Sequence, residues 1–456
     1  MATPTIPNGE EYFFPIIYEG NGAGQRVGKF VPFTDNGTID NSVIYNRADS
    51  PKLARTPSSN GNRKTFTISV WYKLADLGTR RVLFSADTSG SDYALFEINA
   101  NNKVFFTHSS VGDVISTRTF EDTSKFYHFM LVVDTTQSTA SDRVKIYVDG
   151  DLITSLDSST YPSQDFQTNV NSTSYPIAVG SFNSLTTLCT GGYLAEYNFV
   201  DGTALTPSTF GVTDTSTMRW IPKTLSGITY GTNGFRLKFQ DSSALGDDTS
   251  GNGNDYASSN LASTDQTTDS PTQNFATGLG AFQTSYAMTM SEGNLKSAAT
   301  GGSGQHGKSS TTLTFDANDS DGYYCEYTLN AGAGVGQNFN AVAITVDREA
   351  YTVPNASNGK VSGQVRYMED GRFRTTNLAG TLTDISSWGS TWGNVSTPDI
   401  IGIFVKNNKI YFSKNGTWQN SADPNNETGG MDVEGTIGSN RVRFSHIGYQ
   451  SGATSG

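Results

Sequence analysis

Apolar and polar positions alternate with a period of two along Asp399–Trp418, DIIGIFVKNNKIYFSKNGTW. Ile401, Ile403 and Val405 interleave with Ile400, Gly402 and Phe404, a pattern that fills both faces of a largely buried strand. Lys406-Asn407-Asn408-Lys409 then predicts a tight turn, because Asn tolerates the left-handed backbone a short hairpin needs. Ile410-Tyr411-Phe412 resumes the β-branched and aromatic run, and Asn415-Gly416 is the next turn signal. With both faces committed to a core, recognition is expected in the irregular loops this hairpin holds, including the loop that carries Trp388.

The same period recurs upstream. In Thr65–Lys73, Phe66, Ile68 and Val70 face one way and Thr65, Thr67, Ser69 and Trp71 the other. Short strands are predicted at 82–84, 93–98, 103–107, 126–134, 143–149, 192–200, 235–239, 323–329, 341–347 and 442–444, with polar turns between them and no amphipathic helices. Closely spaced strands without helical crossovers imply an all-β chain of antiparallel β-sandwiches, jelly-roll or lectin-like.

Composition agrees with that fold class. Of 456 residues only 16% are charged, 11% are aromatic and 48 are Gly, which suits a turn-rich β protein. A length of this kind holds two or three domains. The net charge of −12 repels nucleic acid and anionic membranes, so neither is an expected partner. No basic start precedes an apolar run and no stretch is long enough to span a bilayer; the chain is expected to be made in a host cytoplasm without a signal peptide and not to enter a membrane. Cys189 and Cys325 are far apart and are expected as buried thiols rather than a disulfide.

The order Phe66-Thr-Ile-Ser-Val-Trp71, Tyr127-His128, Lys145-Ile-Tyr-Val-Asp149-Gly150 and Gly192-Tyr-Leu-Ala-Glu196 resembles laminin-G-like, concanavalin A-type jelly rolls. RTPSSNGNRKTFTISVWYK, GYLAEYNFVDGTALTPSTFG and GNGND resemble structural or fibre proteins of phages of marine bacteria. Downstream, Tyr323–Leu329, Ala341–Asp347 and the hairpin at 399–418 resemble the core strands of SPRY domains, which are binding sandwiches. The implied organisation is an N-terminal arm (1–44), a laminin-G-like sandwich (45–259), a Ser/Thr-rich linker (260–281) and a SPRY-like sandwich (282–456). Phe235–Phe239 is expected to return to the first sandwich, although a permuted topology produces the same order.

A glycosidase on such a fold needs two carboxyls about 5 Å apart, which alternate positions on one strand deliver. Glu369 and Asp370 are adjacent, hence on opposite faces, and Glu196 stands alone, so catalysis is not expected. His128 reads as structural, and His108, His306 and His446 have no sequence-near partners. Asp241, Asp248, Asn252 and Asn254 set oxygen ligands in a turn-rich loop that either binds calcium or simply forms turns. Glycans require aromatic faces beside polar groups. Trp388, Trp392 and Trp418 flank the hairpin; the SPRY resemblance makes Trp392 a core member and Trp388 the surface candidate.

Together these features point to a virion-surface protein of tail-fibre or spike type that binds host-surface polysaccharide, with a passive head fibre or capsid decoration as the alternative. Tyr12, Phe13 and Phe14 in the arm are the expected anchors on other virion proteins. Homo-oligomerisation is expected because weak glycan contacts gain from multivalency.

Overall fold

The computed structural model describes residues 37–184, 188–215, 217–279, 288–299, 305–329, 340–347, 361–392 and 399–450. Tyr12, Phe13, Phe14 and the side chain of His306 lie outside the described residues. What is described forms two compact units, one ending at Phe275 and taking in Ser291–Gly293, the other comprising Ala276–Met290 and Asn294 onward.

The first unit contains β1 (Ser42–Tyr45), β2 (Lys52–Arg55), β3 (Thr65–Leu74), β4 (Arg81–Ser89), β5 (Asp92–Ile98), β6 (Lys103–His108), β7 (Gly112–Thr119), β8 (Phe126–Asp134), β9 (Val144–Val148), β10 (Asp151–Leu152), β11 (Leu156–Ser159), β12 (Ile177–Val179), β13 (Gly192–Asp201), β14 (Gly211–Thr213), β15 (Trp220–Pro222), β16 (Phe235–Leu237), β17 (Ala257–Ser259) and β18 (Gln266–Thr267). One sheet runs β10-β9-β8-β3-β13-β1-β18 with β16 also on β13, and the other β11-β7-β6-β5-β4-β12-β2-β17. Phe66, Ile68, Val70 and Tyr72 of β3 enter the common core, while Trp71 packs in a separate cluster on the other face. Each such buried apolar side chain contributes about 1.5–3 kcal/mol. β13 changes face part-way. Its register shifts between Ala195 and Asn198, where Glu196 takes φ +46°, so Leu194 and then Tyr197 and Phe199 point inward.

Phe235–Leu237 does return to the first unit, pairing antiparallel with β13. The expected linker does not behave as one. β18 pairs with β1, Thr272 bonds the backbone of Ile39, and buried Asp269 reaches Lys73 at 2.9 Å. A Ser/Thr/Asp-rich composition is shared by linkers and by segments that satisfy buried polar groups, and residues 260–275 are the second kind.

In chain order there follow β19 (Met288–Ser291), β20 (Lys296–Ala299), β21 (Gln305–Ser310), β22 (Tyr323–Leu329), β23 (Ala341–Val346), β24 (Gln364–Met368), β25 (Phe373–Thr376), β26 (Leu382–Ile385), β27 (Asp399–Lys406), β28 (Lys409–Lys414), β29 (Thr417–Trp418), β30 (Met431–Asp432), the one-turn helix α1 (Glu434–Ile437) and β31 (Val442–Gln450). A six-stranded sheet β21-β31-β23-β24-β25-β26 faces a five-stranded one, β22-β27-β28-β29 with β30 on β28. Val342, Ile344, Val365, Tyr367, Ile401, Ile403, Val405 and Phe412 lie in the core between them. The β27–β28 turn has the predicted chemistry: Asn407 and Asn408 take φ +49° and +57°, and Lys406 faces Lys409.

Candidate functional site

Because strand side chains alternate, burying Ile401, Ile403 and Val405 turns the even-numbered residues of β27 outward. Antiparallel register then sets Tyr324, Phe404 and Tyr411 side by side across β22, β27 and β28. The next row is Glu326, Gly402, Ser413 and Trp418. Trp418 gathers the rings, with its centroid 6.5 Å from those of Tyr324, Phe404 and Tyr411. Tyr324 is 50% exposed, Phe404 and Trp418 are half-buried, and Tyr411 lies beneath Gly430, where a Cβ would come within 2.4 Å of its ring.

Gly402 makes room for this cluster. A Cβ there would sit 2.4 Å from Ser413 Oγ and 2.6 Å from the Tyr324 hydroxyl. That hydroxyl crosses the gap and donates to Glu326 Oε1 at 2.6 Å. Partial burial and the Glu326 carboxylate push the phenol up to about 12, so it remains a donor at neutral pH. The face therefore combines the ring surface of Tyr324, Phe404 and Trp418 with the exposed Glu326 carboxylate, while Ser413 and Tyr411 are buried beneath it. Such a set stacks on the C–H side of a sugar and accepts hydrogen bonds from its hydroxyls.

Of the three tryptophans predicted as glycan contacts, only Trp418 is on this face. Trp388 is 7% and Trp392 5% exposed, and both belong to the core of the second unit. Trp388 meets Tyr367, Phe373 and Phe412 at centroid distances of 5.5, 5.2 and 5.8 Å. Its loop folds back along the sheet, with Gly389 N bonded to Gly371 O and Trp392 N to Glu369 O. The expectation that Trp388 is a surface residue fails because the largest apolar side chains in a polar loop fill the sandwich instead. Sequence reading missed Tyr324, Phe404 and Tyr411. The signal was the alternation of Tyr324, Glu326 and Thr328 in β22, which marks an outward face.

The loop considered for calcium is built by turns. Asp248 Oδ1 accepts the backbone N–H groups of Arg236 and Ser250 at 2.9 and 2.8 Å, and Oδ2 accepts Ser250 Oγ and Asn254 N at 2.9 and 2.8 Å. Four donors occupy its lone pairs. Asn252 and Asn254 donate their amides to the carbonyls of Gly231, Thr232 and Gly234, and Asp241 closes a separate turn on Ser243. Among the described residues no three His, Cys, Asp or Glu side chains gather as a metal site.

Carboxylates elsewhere are held by cations or amides. Glu196 is held by Arg236 at 2.5 Å; Asp370 pairs with Arg372 at 2.5 Å, and Glu369 accepts Asn340 Nδ2 at 2.6 Å. Glu97, fully buried, is gripped by both ends of the Arg80 guanidinium at 2.7 Å. His128 is structural. Trp220 Nε1 donates to its Nδ1 at 3.1 Å, which places the proton on Nε2 toward Ser69 Oγ at 2.8 Å. Burial pulls this imidazole down to about 3. Cys189 and Cys325 are free thiols, the first buried and the second half-buried.

Part of the first unit is similar to a known family. Residues 48–209 match the concanavalin A-like lectin/glucanases superfamily. That stretch is similar to laminin-G-type domains. Solved structures similar to the chain include domains LG4-5 of the mouse laminin alpha1 chain (8% identity, 92% of this chain and 87% of that one, TM-score 0.30). A heptameric SAP-like pentraxin from Limulus polyphemus (14%, 37% and 78%, 0.28) and domain 4 of the arabinanase AbnA from Geobacillus stearothermophilus, in complex with arabinotriose (18%, 41% and 82%, 0.29), are also similar. No curated protein sequence matches the chain.

Proposed function

We propose that this chain is a non-catalytic glycan-binding protein that uses the outward face of β22, β27 and β28. The observation that carries this reading is the row Tyr324, Phe404 and Tyr411 with Trp418 and Glu326 beside it, an aromatic surface next to hydrogen-bonding groups. The lectin/glucanase description of the family matched by residues 48–209 supports a glycan-binding role for the chain through its first unit and leaves the choice of this face to the geometry alone.

The setting proposed is the surface of a bacteriophage particle, as a tail fibre or spike meeting host polysaccharide, attached through the arm that carries Tyr12, Phe13 and Phe14 and repeated in a homo-oligomer for avidity. Support comes from the resemblance of the 45–275 segment to phage structural proteins and from two thiols that form no disulfide. A passive decoration role is the competing reading. A glycan array with the full-length chain separates them: binding that drops at least tenfold in Tyr324→Ala and Trp418→Ala, both folded by circular dichroism, is expected. An array that stays blank, or binding indifferent to both substitutions, refutes the glycan-binding face.

A further inference from the structure

We infer that the Tyr324/Trp418 face selects uncharged glycans and rejects acidic ones. The inference rests on the glycan-binding reading of this face and adds the ligand's charge. Glu326 projects from an exposed position in the row next to the aromatic one, and among the described residues it forms no ion pair: its bond is to the Tyr324 hydroxyl. The lysines at the turn end of the same face have acidic residues beside them. Lys406 Nζ lies 3.3 Å from Glu427, and Lys409 bonds the Glu427 carbonyl at 2.9 Å while standing opposite Asp432. Lys414 stands opposite core-facing Ile401 and so alternates away from this face; it is engaged with the Thr391 carbonyl at 2.7 Å and with Asp399 at 3.5 Å.

Counting the described charged groups of this face, Lys406 and Lys409 are offset by Glu427 and Asp432, which leaves Glu326 as the surplus charge. A uronate, sialate or sulfate stacked on Trp418 would meet that carboxylate without a compensating cation, on a chain of net charge −12. A neutral sugar meets the same carboxylate as an acceptor for its hydroxyls. Selection against charge is a specificity device of the repulsive kind.

The test is calorimetry with the full-length chain on two pairs of soluble polysaccharides, a neutral glucan and galactan against alginate and a sulfated galactan, repeated at low and at 0.5 M salt (about one-third the screening length of 0.05 M). Binding of a neutral member that falls at least tenfold in Tyr324→Ala is expected, with no acidic binding at low salt and a gain of acidic binding in Glu326→Gln. Acidic polymer bound as tightly as neutral, and lost in Tyr324→Ala, overturns the charge inference and leaves the face standing. Neutral binding unaffected by Tyr324→Ala overturns the face itself, and this inference with it.

Discussion

Trp418 stands edge-on to Tyr324, their ring centroids 6.5 Å apart and their planes at 71°, and what allows the approach is a missing side chain between them. Gly402 occupies the position where any Cβ would collide with the Tyr324 hydroxyl and with Ser413 Oγ. Gly402→Ala is therefore expected to push the phenol off Glu326, at a cost of about 1–3 kcal/mol of overpacking strain, and to weaken glycan binding more than stability alone explains. Urea denaturation and calorimetry on the same variant check both; unchanged binding with unchanged stability would show that the gap is immaterial.

Trp388→Ala should act in the opposite way. Its ring is 7% exposed and packed against three aromatic side chains, so truncation is expected to cost about 3–5 kcal/mol. The folded fraction should bind glycan with unaltered affinity. A variant of full stability with reduced binding would return Trp388 to the surface.

The contrast between these tryptophans shows where sequence reading reaches and where it stops. Alternation in Thr65–Leu74 and the Asn407-Asn408 turn are local, and both strand faces and turn geometry follow from period and residue type. Which apolar face meets solvent is decided by whether another layer covers it. The hairpin's two faces look alike in sequence, yet Ile401, Ile403 and Val405 are fully buried while Ile400 is 41% exposed. Only the pairing of β22 with β27, from residues some eighty positions earlier in the chain by register, assembles the aromatic row. The Trp388 loop was misread for the same reason, since its polar composition says nothing of the cavity it fills.

Asp248→Ala tests the turn reading of the 241–254 loop. The substitution orphans the backbone N–H groups of Arg236, Ser250 and Asn254, at about 1–3 kcal/mol for a buried unsatisfied group. The loss of thermal stability is expected to be the same in millimolar calcium and in chelator. A wild-type melting temperature that rises with calcium, and an Asp248→Ala one that does not, would restore the metal reading.

Acid should destabilise the first unit through His128. Its folded-state value, about 3, lies below the ordinary value near 6.5 because the ring is buried between Trp71 and Trp220. Below that ordinary value the unfolded chain binds a proton that the folded chain does not, so stability present at neutral pH falls as pH drops, by about 1.4 kcal/mol per pH unit from this group. Burial lowers His108 of the same unit as well, which adds to the slope. Chemical denaturation at pH 7, 6 and 5 should show the decline, and His128→Gln should lose its share of it; an equal slope in the variant would assign the effect elsewhere.

Lys73 ties residues 260–275 to the first unit, and its three protons explain why. Nζ donates to Asp269 Oδ2 and Asn274 Oδ1 at 2.9 Å each and to the Phe275 carbonyl at 2.7 Å, beneath the rings of Phe126 and Tyr193. Burial lowers the ammonium and raises the carboxyl, each opposed by the other's charge, so neither tolerates losing its partner. Asp269→Asn is expected to cost about 3–5 kcal/mol, whereas Lys73→Met combined with Asp269→Asn should cost less than Asp269→Asn alone, because no charge is then left buried. A fragment ending at residue 259 should accordingly melt well below one ending at residue 279. Equal melting of the two fragments would make the segment a linker and the ion pair incidental.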